Sequence, residues 1–178
     1  MILIILILAV IAFIYLNVIP KKGHTPLTWL SLIIAVLCVV GIVEHDYYNH
    51  FGMKAETTTV KKDLVSSASP KLPILLYQPL GNVAEKVYLY KTNNADKKST
   101  PTKTDKTISK VVKNASSASV TVTANRYVFN NGLDAFLFGW FGHNKEIKSR
   151  KYIFSVPKTW QVLSVKQAKA LAKQQTKK

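Results

Sequence analysis

The sequence predicts a membrane-anchored α+β protein: an N-terminal two-helix transmembrane hairpin, then a mostly antiparallel β domain with a short C-terminal helix. Three observations carry this expectation. First, residues 2–19 and 27–43 contain no charge, and the only charges before Glu44 lie between them in Pro20-Lys-Lys-Gly-His-Thr-Pro26. An uncharged helix of about 18 residues at about 1.5 Å per residue is about 27 Å long, close to the roughly 30 Å hydrocarbon core of a bilayer. Second, from Thr57 onward β-branched and aromatic runs alternate with turn residues, the pattern of short strands. Third, the formal charge of +16 falls entirely on residues 51–178, which hold 23 Lys and Arg against 7 Asp and Glu. The mean hydropathy of +0.09 averages these two unlike parts.

The first apolar run starts at Ile2 with no basic residue ahead of it. It ends in Asn17-Val-Ile-Pro20, not in an Ala-x-Ala cleavage pattern, which predicts a retained anchor. The second, Leu27–Val43, is at the short end for a span. Pro26 sits at its start, where a missing N–H costs nothing, and Trp29 lies where an interface would favour it. Ser31 and Ala35 have the spacing that lets two helices approach closely. Lys21 and Lys22 place the connecting loop in the cytoplasm by the positive-inside rule, so the β domain is expected outside. Lys54, Lys61 and Lys62 count the other way, but Glu44 and Asp46 separate them from the membrane.

Residues 44–56 read as a juxtamembrane segment, with Tyr47, Tyr48 and Phe51 as an aromatic belt. Residues 57–178 read as one small basic domain. Its predicted strands are Thr57–Lys62, Ile74–Gln78, Lys86–Lys91, Thr107–Lys113, Ser119–Ala124, Tyr127–Asn130, Ala135–Trp140 and Lys148–Val156. Asn130-Asn-Gly132 is a turn signal, because Asn and Gly tolerate positive φ. Residues 93–105 lack any large apolar residue and read as a loop. Ser164-Val-Lys-Gln167 has capping-box spacing, and Val165, Ala168, Leu171 and Ala172 recur on one face, so a helix is expected over about 165–175. Phe136-Leu-Phe-Gly-Trp-Phe141 is the most apolar stretch outside the hairpin. It reads as a central core strand; left exposed, it would be a partner or membrane contact.

Few residues point to chemistry. Glu44-His45-Asp46 with His50 is the densest set of potential metal ligands. However, His45 and His50 are five apart and do not align on a helix face, so a polar helix exit is the ordinary reading. His143 can join them only through the fold. Ser155-Val-Pro-Lys158 matches Ser-x-x-Lys but falls at a strand end without the partner motifs a serine acyltransferase site needs. The lone Cys38 allows no intramolecular disulfide. No catalytic, cofactor-binding or metal-binding residue is therefore assigned. Only Arg126 and Arg150 are arginines; every other cation is lysine, which suits diffuse attraction to polyanions and not sequence-specific nucleic-acid reading. Lys166, Lys169, Lys173, Lys177 and Lys178, on and beyond the C-terminal helix, are the candidate contacts to polyanion or lipid.

His50-Phe-Gly-Met-Lys54 after the second apolar run, Leu75-Leu-Tyr-Gln-Pro-Leu-Gly81 and Lys86-Val-Tyr-Leu-Tyr-Lys91 resemble one family over essentially the whole chain. That family is domain of unknown function 4811, two-span membrane proteins of lactic-acid bacteria. The resemblance implies a membrane location and a bacterial host, suggests a membrane transporter as a neighbour, and carries over no functional residue. The expected role is a non-enzymatic, extracytoplasmic accessory or binding module, contacting anionic wall polymer, lipid headgroups or a transporter. The alternative is a membrane-tethered envelope hydrolase whose carboxylates are brought together by the fold.

Overall fold

The computed structural model describes residues 1–19, 23–48, 50–68, 72–81, 85–93, 95 and 98–175, with the backbone alone for Tyr48 and residues 173–175. Lys21 and Lys22, on which the orientation expectation rests, lie outside the described residues. The chain divides into two compact units: residues 1–56 with 126–146, and residues 57–125 with 147–178.

The first unit is built on a helical hairpin of α1 (Ile2–Val18) and α2 (Thr25–Val43). Pro26 occupies the first turn of α2, where its missing N–H is not needed. The two helices pack antiparallel: Ile2 reaches Gly41 at one end, while Asn17 and His24 share a cleft at the other. Small side chains make the close approach, with Ala9 of α1 and Ser31 of α2 buried; Ser31 Oγ donates to the Thr28 carbonyl at 2.8 Å. Most other hairpin side chains are large, apolar and exposed.

One helix among the described residues is long and apolar enough to cross a membrane. It is α2 continued through a π turn (Glu44–Tyr48), 23 residues from Thr25 to Tyr47. The 17-residue α1 is apolar but falls below that length, so the expectation of two spans is reduced to one candidate span beside a shorter apolar helix. The physical reason is the length of the regular helix: α1 stops at Val18, and Ile19 is already extended.

Two four-stranded sheets face each other, all in the second unit except the first residues of one strand (53–56) and the last of another (126–129). Their strand orders are β1-β6-β7-β5 and β4-β3-β2-β8, from β1 (Met53–Asp63), β2 (Ile74–Leu80), β3 (Glu85–Tyr90), β4 (Thr100–Pro101), β5 (Thr107–Lys113), β6 (Ser119–Phe129), β7 (Ile147–Val156) and β8 (Gln161–Ser164). The sheets are mostly antiparallel, as expected, but β5 runs parallel to β7 and β2 parallel to β8. Period-two alternation sends Tyr152, Phe154 and Val156 of β7 inward against Leu75, Tyr88 and Val120. The Phe154 ring lies 5.0 Å from Tyr88 and 5.6 Å from Tyr90, centroid to centroid. Beyond Met53, β1 is exposed along its length, and Lys61, Lys62 and Asp63 guard this sheet edge against pairing with another chain. The helix α4 (Val165–Gln175) follows β8 directly. Its predicted capping box forms: Gln167 N donates to Ser164 Oγ at 3.2 Å, and Ser164 N to Gln167 Oε1 at 2.8 Å.

Several predicted elements change. The expected strand Ala135–Trp140 is instead a helix, α3 (Gly132–Phe138), followed by a 3-10 turn at Gly139–Phe141. Asn131 does not sit in a hairpin turn; it caps α3, its Oδ1 accepting from Asp134 N at 2.9 Å, and this local bond outweighs the β preference of the aromatic residues. The run Phe136–Phe141 is accordingly no core strand: Phe138 is buried while Phe136 and Trp140 are exposed. Ser119–Ala124 and Tyr127–Asn130 merge into β6, and β1 begins inside the expected juxtamembrane segment. β8 was not anticipated, and the expected loop 93–105 contains β4.

Candidate functional site

The densest grouping of titratable side chains in the first unit gathers where α2 ends. The π turn offsets the helix by one residue and turns His45 inward, so that its side chain is fully buried. The imidazole stacks on Phe138 at 4.4 Å, with Phe129 and Phe141 completing an aromatic wall. Nδ1 donates to the Phe51 carbonyl at 2.6 Å, and Nε2 has no hydrogen-bond partner. The chain then reverses through His50 and Gly52, both at positive φ. The Gly52 φ of +80 favours glycine, and a Cβ there would lie 3.2–3.3 Å from the Asp134 side chain, a tight contact that Asp134 would have to relieve by shifting.

His143, just beyond the 3-10 turn, bridges two carboxylates. Its Nε2 lies 2.8 Å from Asp46 Oδ1 and its Nδ1 3.0 Å from Glu146 Oε2. With an acceptor at each ring nitrogen, the doubly protonated imidazolium is the favoured form. The hydrogen bond to Asp46 raises the His143 pKa above the usual histidine value; partial burial opposes this, and Glu146 adds to the rise. The His50 ring stacks on Tyr127 at 3.9 Å and meets His143 edge-on at 6.0 Å. Backbone bonds close the frame: Tyr127 N donates to Glu146 O at 2.9 Å, and Lys145 N to Tyr127 O at 2.8 Å.

The fold thus joins His143 to the Glu44–His50 group and adds Glu146 and Tyr127, which the sequence reading missed. The hint was His143-x-x-Glu146, a local acid–imidazole pair. Such an arrangement serves as a charged latch between the exit of α2 and the loop after α3. Among the described residues, no group of three or more His, Cys, Asp or Glu is arranged to hold a metal ion. Ser155 lies inside β7 opposite Val112, not at a helix start, so the Ser-x-x-Lys match has no nucleophile geometry.

The family described as a domain of unknown function, DUF4811, matches residues 20–171. The chain belongs to this family. The DUF4811 match takes in α2, the histidine latch and nearly all of the second unit, and leaves α1 outside. No curated protein and no solved structure matches the chain.

Charge separates the two units of this DUF4811 member sharply. The second unit carries 20 Lys and Arg against 4 Asp and Glu, and the first carries 5 against 5. Residues 147–178 contribute nine of those cations and no acid. Of the predicted contacts, Lys166 and Lys169 are exposed on α4; Lys173 lies on α4 with only its backbone described, and Lys177 and Lys178 lie outside the described residues. Elsewhere in the unit, an open depression of about 240 Å³ between β3 and β5 is lined by Lys86 and Lys103 and by Glu85, the first residue of β3. Lys86 Nζ stands 4.9 Å from the Tyr77 ring centroid, which holds the ammonium over the sheet.

Proposed function

We propose that this chain is a non-enzymatic integral membrane protein whose hairpin holds a basic β sandwich against a phosphate-rich surface outside the cell. The observation that carries the reading is the division of charge: a net +16 on the second unit and none on the unit that contains the apolar hairpin. A single-sign surface raises the local concentration of polyanions, and lysine does so without demanding one ligand geometry. Lysines near an anionic leaflet contribute on the order of 1 kcal/mol each and lose it within a Debye length. Both apolar helices would sit in the bilayer, with α1 tilted less or its end drawn in to match its length.

The test is binding of the intact chain, in neutral nanodiscs, to poly(glycerol phosphate) and to anionic vesicles across a salt series. Affinity should fall steeply with salt, by a slope of about 0.9 per phosphate contact if the polymer behaves like B-DNA. Replacing Lys169, Lys173, Lys177 and Lys178 with Gln should flatten that slope. Absence of binding at low salt would leave the lysines as a solubility coat and put attachment to a neighbouring transporter ahead.

A further inference from the structure

The first unit exposes an apolar face that its own core does not use. On α3 and the 3-10 turn, Leu133, Phe136 and Trp140 recur at helical spacing and are 65%, 58% and 80% exposed. The opposite side is spent on the core: Phe138 is 2% exposed, packs with Ile2 and Cys38, and stacks on His45. Phe51, itself exposed, meets the Phe138 ring edge-on at 6.1 Å, and Tyr47 is exposed on the π turn.

The position of this face says what covers it. The Met1 ammonium donates to the Phe136 and Leu137 carbonyls at 2.8 Å each, so α3 is tied to the residue immediately before α1. At the other helix, a Cβ on Gly41 would lie 3.4 Å from Ile2 Cδ1 and 3.9 Å from Phe138 Cζ. α3 therefore stands where α1 begins and α2 ends, beside Glu44 and Asp46, the first acids after the uncharged run. That level is where hydrocarbon gives way to headgroups if the hairpin is in a bilayer. The apolar sides of α1 and α2 run up to it without a break in charge. A water-filled surround would have to solvate Trp140 and Phe136 next to a lipid-covered hairpin, whereas tryptophan is enriched at the interface.

We propose that α3 and its 3-10 turn lie in the headgroup–acyl boundary of the leaflet where α1 begins, with Leu133, Phe136 and Trp140 inserted among the acyl chains. This rests on the hairpin residing in the membrane. The helix then acts as a third membrane contact that fixes the depth at which the α2 exit sits, and a lipid surface, not a protein partner, covers the apolar face.

The experiment reads tryptophan depth in the full chain reconstituted into phosphatidylcholine–phosphatidylglycerol vesicles. In one variant, W29F with W160F, only Trp140 emits; in another, W140F with W160F, only Trp29 does. Lipids brominated near the headgroup should quench Trp140 more than lipids brominated at the acyl terminus, and reconstitution should lower its quenching by aqueous acrylamide severalfold. Trp29 quenched by bromolipid while Trp140 is untouched would overturn the proposal and leave the hairpin reading intact. Neither residue quenched would overturn both. Fluorotryptophan spectra of the unsubstituted chain with spin-labelled lipid give the same readout without relying on W160F. Protection of Trp140 that appears only when a second protein is added would also refute the lipid assignment.

Discussion

Raising the pH should open the His143 latch. The two contacts of His143 join a side chain 24% exposed to carboxylates 52% and 37% exposed. Water screens such pairs, and each contributes roughly 0.2–1 kcal/mol, so together they hold the closed arrangement by on the order of 1 kcal/mol. The His143 pKa is raised in the folded protein. Its stabilisation is therefore complete below the ordinary histidine value of about 6.5 and is lost as pH climbs through the higher folded value. A loss of about 1 kcal/mol increases local opening by a factor of about 5. Hydrogen exchange in nanodiscs, corrected for the intrinsic base-catalysed rate, should show that acceleration at the amides of Glu44–Tyr48 and of residues 143–146. Asp46→Asn should lower the His143 titration midpoint in NMR and flatten the exchange profile. A midpoint unmoved by Asp46→Asn, or lying at or below the ordinary value, would refute the assignment of the shift to this carboxylate.

Three further outcomes follow from the same geometry. Gly52→Ala places a side chain at φ +80 and within 3.3 Å of Asp134, so denaturant unfolding in detergent should show a loss of about 1–3 kcal/mol. Phe154→Ala removes a fully buried ring between Tyr88 and Tyr90 and should cost about 3–5 kcal/mol, read as an earlier melt of the β signal in circular dichroism. Protease added to intact protoplasts should digest residues beyond 50, with Lys21 and Lys22 holding the loop inside; protection until lysis would reverse the orientation.

Which features were legible follows from how local each signal is. Absence of charge is a one-dimensional property, so both apolar helices were visible, and the length of α1 was the part that regular geometry decided. The capping box at Ser164 and Gln167 is closed within one turn, and it formed as read. β2, β3, β5 and β7 lay within a few residues of their expected bounds, because alternation is imposed by the pleat itself. At α3 two local signals competed. Phe136, Phe138 and Trp140 favour a strand by type, while Asn131, Asp134 and the spacing of Leu133, Phe136 and Trp140 favour a helix. The cap and the spacing won. The latch was not legible, since His143 and Asp46 are 97 residues apart and nothing in either neighbourhood names the other.

The division of the chain has a consequence for its synthesis. The first unit is discontinuous: its hairpin is made early, but residues 126–146 are separated from it by the 69 residues from Thr57 to Asn125. At roughly 5–20 residues per second, the ribosome needs about 3–14 s to make that interval. Throughout it, His45 lacks Phe129, Phe138 and Phe141, and Asp46 lacks His143. The nascent hairpin therefore waits with an imidazole uncovered at its exit. Its π turn lacks the aromatic partner that packs on it until α3 has been made.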